Sequence, residues 1–477
     1  MTSLRSHASR EHVVQESHEM EEQGVKQRRQ NRGKRQSAEL PTLEKEHPDR
    51  YVFGLWRVDS AGESGRTGFH PLHFLRVTFR SVCTLSMVVN ILWPAVPAAI
   101  ALHFARPDLH VAVFTLNYIA MVPAANVLGF AGGELAKKLP KTFGVLLETA
   151  LSCSVELVLF MVLLHNNMKN PELDLIPVIQ AAILGSILAN LLLCLGMCFF
   201  VGGLRRAEQV FHEAISEVGS GLLLVAGFGL LIPTAFFTAL KGSTTPKFTL
   251  EMLEDATAKI SQATAVILMV AFLAFIFFNL HSHNSIFDDI LEIDETNDED
   301  HHKEVSRAKL TFLEAIIALA ISLTFVCMCA VFLVEEIEHI VELGVSDNFM
   351  GLILVPLVEK AAEHLTAVDE AWDNQINFAL FHCLAPSIQT ALFNAPLAVI
   401  VGWGQGQGAG GVGSPMSLNF EIFMVVLLVL SILVVGNFLR DGKSNWLEGF
   451  LCVLIYVIIA VTTWYYPSVK DASTNSA

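Results

Sequence analysis

Phe287–Glu304 reads FDDILEIDETNDEDHHKE, an acidic stretch in a chain otherwise built of apolar runs. Six such runs precede it, near 81–103, 109–131, 143–165, 178–202, 216–239 and 261–281. Five follow, near 308–334, 349–371, 376–402, 417–438 and 446–466. Runs of roughly 20 apolar residues cross a hydrocarbon core about 30 Å thick as α-helices. The acidic stretch therefore parts five crossings from five, with one extra crossing at the start. Five is odd, so two equivalent halves must lie in opposite orientations, the inverted-repeat plan of many secondary transporters. The expected fold is an all-α polytopic membrane protein of about 11 transmembrane helices, one extra helix plus two inverted five-helix repeats. Residues 1–80 form a hydrophilic, disordered cytoplasmic tail with the first-span lead-in, and 81–104 the extra helix. The first repeat is 105–281, the acidic cytoplasmic loop 282–307, the second repeat 308–466, and 467–477 a short luminal tail.

Composition excludes a soluble globule. Of 477 residues 53% are hydrophobic and only 16% charged, with mean hydropathy +0.51, against about 25% charged in soluble domains. Ten-residue alternating segments, the mark of a transmembrane barrel, are absent from the sequence. The net charge of −16 is uneven. Lys26, Arg28, Arg29, Arg32, Lys34 and Arg35 make the first segment locally basic. Without interleaved aromatics this run reads as a positive-inside tail and not as a nucleic-acid surface. The first span serves as an internal insertion signal, since no leader with a cleavage site opens the chain. Lys137-Lys138, Arg205-Arg206, Arg307-Lys309 and Arg440-Lys443 fall on the tail's side when the amino terminus is cytoplasmic, which leaves the carboxyl terminus luminal. The eight cysteines all fall in apolar spans and read as small buried hydrophobes. Gly402–Gly413 lacks a preceding strand and a GK[ST] ending, so it is an extramembrane loop and not a phosphate cradle. The acidic stretch itself reads as a solvated linker.

Ionisable groups inside spans are costly and mark function. The third span carries Glu148, Ser152 and Glu156, four residues apart and so along one helical stripe. The fourth adds Gly185-Ser186 and Asn190, small residues for close approach and an amide that donates and accepts. In the eighth, Glu359 and Glu363 are four apart, as are Lys360 and His364. The ninth offers Pro386-Ser387-Ile388-Gln389 and, beyond, Asn394 and Pro396. Prolines in these runs predict broken helices with free carbonyls for a cation. Both halves thus show an acidic helix followed by a helix with hydroxyl and amide groups.

These residues resemble the calcium/proton exchangers (CAX) of the cation/calcium exchanger superfamily, over about residues 80–466. Ser152-Cys-Ser-Val-Glu156-Leu157 stands where that family has a GNATEL-like motif, and Glu359-Lys-Ala-Ala-Glu363-His364 where it has GNAAEH. Gly185-Ser186 through Asn190, and Ala385-Pro-Ser387-Ile-Gln389, match the partner helices. By that resemblance Glu156 and Glu363 bind the transported cation and exchange it for protons. Glu148, Glu359, Ser186, Asn190, Ser387 and Gln389 are further candidate ligands, and Lys360, His364 and Cys153 candidates for selectivity and coupling.

Cys153 and Lys360 replace the family asparagines. A thiol is a poor ligand for a hard cation. An ammonium about 6 Å from the ion, at an effective dielectric near 20, repels a monovalent ion by roughly 2.8 kcal/mol and a divalent ion by twice that. The difference disfavours Ca²⁺ by about a hundredfold. These departures, together with the hydrophilic tail and the Gly68–Phe74 stretch, also resemble the fungal low-affinity vacuolar monovalent cation/proton antiporter branch of that family. The expected function is therefore Na⁺ or K⁺ exchange for luminal H⁺ across a vacuolar membrane. Ca²⁺/H⁺ antiport is the alternative if Glu148 and Glu359 offset Lys360. The partners are Na⁺, K⁺ or Ca²⁺, with H⁺ and membrane lipid; no nucleic acid and no cofactor is implied, and the sequence sets no oligomeric state. His364 is either a proton relay or a packing group. Asp369, Glu370 and Asp373 read as a solvated helix end. A cation channel, a transport-inactive regulatory protein and a di-iron enzyme are the rival classes. The last rests on the Glu-x-x-His spacing of Glu336 and His339, which lacks a second copy.

Overall fold

The structure is a computed structural model. It describes residues 50–52, 56–58, 68–80, 84–139, 147, 150–151, 153–169, 175–242, 249–282, 294, 310–406 and 416–466. The basic run of the tail, Cys83, Glu148, Ser152, Arg307-Lys309, most of the acidic stretch, residues 407–415 of the glycine-rich loop and the carboxyl-terminal segment lie outside the described residues.

Apolar composition and helical hydrogen bonding go together here, because a backbone in lipid must satisfy its own polar groups. Short helices α1 (Pro71–Arg80), α2 (Thr84–Asn90) and α3 (Ala95–Ala105) lead into α4 (His110–Ala136) and α5 (Ser154–Lys169). Then come α6 (Ile176–Arg205), α7 (Glu213–Lys241), α8 (Leu250–Phe277) and α9 (Phe312–Glu342). The chain continues with α10 (347–359), α11 (Ala361–Trp372), α12 (Ile376–Gly404), α13 (Ile422–Phe438) and α14 (Trp446–Trp464). Among the described residues eight helices, Ser86–Ala105 included, are long and apolar enough to span a membrane; Ile422–Phe438 is shorter. The expected third and eighth spans do not appear as such helices among the described residues. Much of the third lies outside the described residues, which show helix at 147 and 150–151 and again over Ser154–Lys169, and the eighth is broken between Glu359 and Ala361.

Burial ranks the helices. In α6 and α12 72% of the apolar window is covered by protein, against 17–39% in Ser86–Ala105, α7, α8, α9 and α14. The two helices expected to partner the acidic motifs are thus the centre of the bundle. Each contains a π-turn, Ala189–Cys194 in α6 and Thr390–Asn394 in α12. Pro386, expected to break its span, sits inside a continuous helix; the irregularity falls after it, as the π-turn. Two glycines allow α6 and α10 to touch backbone to backbone. A Cβ on Gly185 would stand 2.2 Å from the Leu352 carbonyl oxygen, and one on Gly351 would stand 2.7 Å from that of Val178.

One end of the bundle gathers the expected cytoplasmic loops. Gln209–Val210 pairs antiparallel with Lys443–Ser444, and Arg205 and Arg206 donate to the Trp372 carbonyl closing α11. Cations at a helix C-terminus complement its partial negative charge. Asp294 corrects the reading of the acidic stretch as solvated throughout. It is 2% exposed and accepts hydrogen bonds from the backbone amides of Asn377 and Phe378 and from Asn377 Nδ2, at 2.7–3.0 Å. A carboxylate there meets the unpaired amides that open α12. Burial raises its carboxyl above the ordinary range, and the hydrogen bonds only partly offset this. At this end α9 opens with a capping box between Thr311 and Glu314. The last helix, α14, is bracketed by Trp446 and Trp464, about half exposed. Cys327 is partly exposed where burial was expected, while Cys153, Cys194, Cys198, Cys329, Cys383 and Cys452 are buried.

Candidate functional site

The two acidic motifs meet at a single nitrogen. Lys360, at the break between α10 and α11, is 2% exposed. Its Nζ stands 3.6 Å from Glu156 Oε2 and 3.5 Å from Glu363 Oε2. The break turns Lys360 inward, and Glu363 lies one turn further along α11. Glu156 sits in the first turn of α5 and is 1% exposed. Burying a carboxylate and an ammonium is tolerable only when they pair and their remaining valences are met. They are met from the opposite half of the chain. Thr390 Oγ1 donates to Glu156 at 2.8 Å, and Asn394 Nδ2 donates at 2.8 Å.

The reverse arrangement holds for the second motif. His364 Nε2 lies 2.9 Å from Asn190 Oδ1; an amide oxygen only accepts, so the ring nitrogen donates. Each motif helix is thus served by the partner helix of the other half: α5 by α12, and α11 by α6.

Around the motifs, several buried polar atoms of the described residues lack a hydrogen-bond partner in the protein. They are Ser186 Oγ, Asn190 Nδ2, Asn394 Oδ1 and both carboxylate oxygens of Glu359. Such atoms are expensive to leave unpaired, and all but the Asn190 nitrogen are oxygens, the donor type for hard cations. Glu359 is 4% exposed and within Coulomb reach of Glu156, Lys360 and Glu363.

Of the residues expected from sequence, the structure brings together Glu156, Lys360 and Glu363, sets Glu359 beside them, and pairs Asn190 with His364. Ser186 is fully buried. Gln389 is buried, and Ser387 Oγ is used locally, donating to the Cys383 carbonyl at 2.8 Å. Cys153 is buried and donates to the Ala150 carbonyl. Glu370 is not a solvated helix-end charge: its Oε2 lies 2.7 Å from His382 Nδ1. Sequence reasoning misses Thr390 and gives Asn394 no role. Thr390 and Asn394 stand three and seven residues beyond Ser387, near its face by ordinary helical spacing; what the sequence does not carry is that this face meets Glu156 of the other half.

Residues 109–281 and 314–465 match the sodium/calcium exchanger protein family. The chain belongs to that family. It is a secondary transporter and not an enzyme. It is 33% identical to a vacuolar calcium ion transporter of Schizosaccharomyces pombe, over 74% of this chain and 79% of that protein. It is 32% identical to a Ca²⁺/H⁺ antiporter of Aphanothece halophytica, over 79% of this chain and 96% of that one. Among solved structures, YfkE superposes with a TM-score of 0.60 at 25% identity, covering 79% of this chain and all of that one. The exchanger resemblance read from the motifs therefore holds.

Proposed function

We propose that the chain exchanges Ca²⁺ for H⁺ across a vacuolar membrane, by alternating access at Glu156 and Glu363, with its amino terminus cytoplasmic. The observation that carries this is the meeting of two carboxylates from opposite halves at one buried cationic nitrogen. A place that holds an ammonium between two carboxylates has the charge and the oxygens to hold a metal cation instead. Protonation of Glu156 and Glu363 on the acidic side releases the metal, and deprotonation on the other side readmits it.

The sequence alone favours Na⁺ or K⁺, through the repulsion of Lys360. Two considerations support the reverse order. The relatives described above are named for calcium. Glu359 also adds a third carboxylate, itself buried, so Glu156, Glu359, Glu363 and Lys360 together carry the formal charge that one dication neutralises. Lys360 then acts as a resident counter-ion, occupying the carboxylates when Ca²⁺ is away and yielding when it binds. Monovalent exchange stays as the second reading, because the ammonium contacts both motif carboxylates directly.

Purified protein in liposomes with an acidic, dye-reported interior separates the two. External Ca²⁺ should restore the dye signal, with Na⁺ and K⁺ nearly silent; recovery with Na⁺ or K⁺ and not Ca²⁺ would overturn the proposal. Lys360→Asn supplies the second arm. On the Ca²⁺ reading it leaves an excess negative charge, so KM for Ca²⁺ should fall by about tenfold or more while turnover slows, because a more strongly attracted ion leaves late. If the variant instead gains Ca²⁺ transport that the parent lacks, the monovalent reading stands.

A further inference from the structure

At the end of α9 away from its capping box, where α4 begins, lies a cluster of ionisable groups with no part in the contacts around Lys360 described above. His110 is the first residue of α4, and Glu336 and His339 are one turn apart near the close of α9. His110 Nδ1 stands 2.7 Å from Glu336 Oε2, and the rings of His110 and His339 stack with centroids 3.7 Å apart. One ligand atom from each of the three residues lies within 4.8 Å of the other two. The Glu336 side chain is 7% exposed and that of His110 40%, so the group is anchored in protein yet reachable from water. Glu342 Oε2 lies 3.8 Å from His339 Nδ1.

The geometry points to a binding site for a borderline transition-metal dication of the Zn²⁺ class, separate from the transport pathway. Two imidazoles and one carboxylate are a common zinc donor set, with a fourth position left for water. That set also separates the site from the all-oxygen chemistry at Glu156 and Glu363, which suits hard cations. In a tetrahedral site donor atoms stand roughly 3.4 Å apart, so small rotamer changes would close the cluster on an ion. Glu342 is placed to accept from the ring nitrogen of His339 that does not bind metal, the outer carboxylate that orients many metal-bound histidines. A bound ion would staple α4 to α9 at this end. The missing second Glu-x-x-His that argues against a di-iron centre does not weigh against a mononuclear site, because His110 supplies the third ligand from another helix.

The test uses full-length protein in detergent, freed of metal at neutral pH and titrated with Co²⁺ alone. Visible absorption of the bound ion reports its donors. The parent should bind one Co²⁺ with the intense band of a four-coordinate nitrogen–oxygen site, and Zn²⁺ should displace it. His110→Ala/His339→Ala should weaken binding by at least about tenfold and remove the band, while Glu363→Gln, which disables the transport site, should keep it. If the double variant does not fold, His339→Gln is read in its place. A band unchanged in the histidine variants, or lost in Glu363→Gln, would overturn the assignment. So would a parent protein that binds no Co²⁺ at all.

Discussion

Glu156 is 1% exposed and held by Thr390, Asn394 and Lys360, whereas Glu363, its counterpart in the other half, keeps 27% of its side chain open. Both belong to motifs of similar sequence, each beside a π-turned partner helix, and both touch the same ammonium. The difference lies in what closes over them. On the inverted-repeat plan, equivalent positions must become inequivalent whenever the site faces one side only. One carboxylate sealed and the other open is what a single facing state requires.

Substitutions at the two carboxylates should break the comparison most sharply. Glu156→Gln removes the more buried of the two carboxylates in contact with Lys360 and leaves Glu363 to hold the ammonium, so the loss approaches the roughly 3–5 kcal/mol of a buried ion pair deprived of one partner. Proton-coupled flux in liposomes should fall by about a hundredfold or more, with a marked drop in melting temperature. Glu363→Gln should lower flux as severely with a smaller thermal loss, because its surroundings are wetter. Equal losses of stability in the two variants would mean that the exposure difference has no energetic content.

The next effect concerns the crossing that holds the halves together. Gly185→Ala places a carbon against the Leu352 carbonyl, and backbone cannot swing aside as a side chain can. Flux and folded yield should fall by about tenfold, within the range of overpacking costs. Gly133→Ala, with nothing within 4 Å of the added carbon, should behave as the parent. Size-exclusion recovery and flux check both.

Hydrogen bonds to the site follow. Thr390→Val removes a donor to a charged group, worth about 1.5–3 kcal/mol, so transport should drop by about ten- to a hundredfold. Asn190→Ala removes a neutral partner of His364, worth about 1 kcal/mol, and should cost about fivefold. If Asn190→Ala proved the more harmful, His364 would have to be a proton carrier and not a packing group.

The smallest change is expected at Asp294. Its carboxyl is raised by burial, so holding it ionised takes stability away as pH climbs through the raised value; that loss is absent below the ordinary carboxylate range. Asp294→Asn has no such slope. Its thermal deficit against the parent should therefore be largest at acid pH and shrink toward neutrality, which a melting series in pH checks.

Much of this is legible in the sequence. Apolar run length announces the spans, and intramembrane charge marks Glu156, Lys360 and Glu363, because lipid tolerates ionised groups only where they have partners. What stays hidden depends on long-range placement. Thr390 shares a helical face with Ser387 at ordinary spacing, but its meeting with Glu156 joins residues 234 apart in the chain, which no local count reports. Sequence can set Lys360 about 6 Å from an ion only by assumption, whereas it contacts both carboxylates. Asp294, within an acidic run that reads as solvent-borne, settles on the start of α12 because that helix end lacks acceptors.

Trp446 and Trp464 mark the two ends of a helix of 19 residues, a length of about 28 Å at 1.5 Å per residue. Indole rings favour the boundary between headgroups and hydrocarbon, so the pair acts as a depth gauge. The interval suits a bilayer of roughly 27 Å, as in thinner intracellular membranes, better than a sterol-rich one of about 32–33 Å. A thicker lipid sheet would have to thin around this helix, at a cost of fractions of a kcal/mol for each ångström of mismatch. One helix with an indole at each end thereby favours some bilayers over others as a home for the whole bundle.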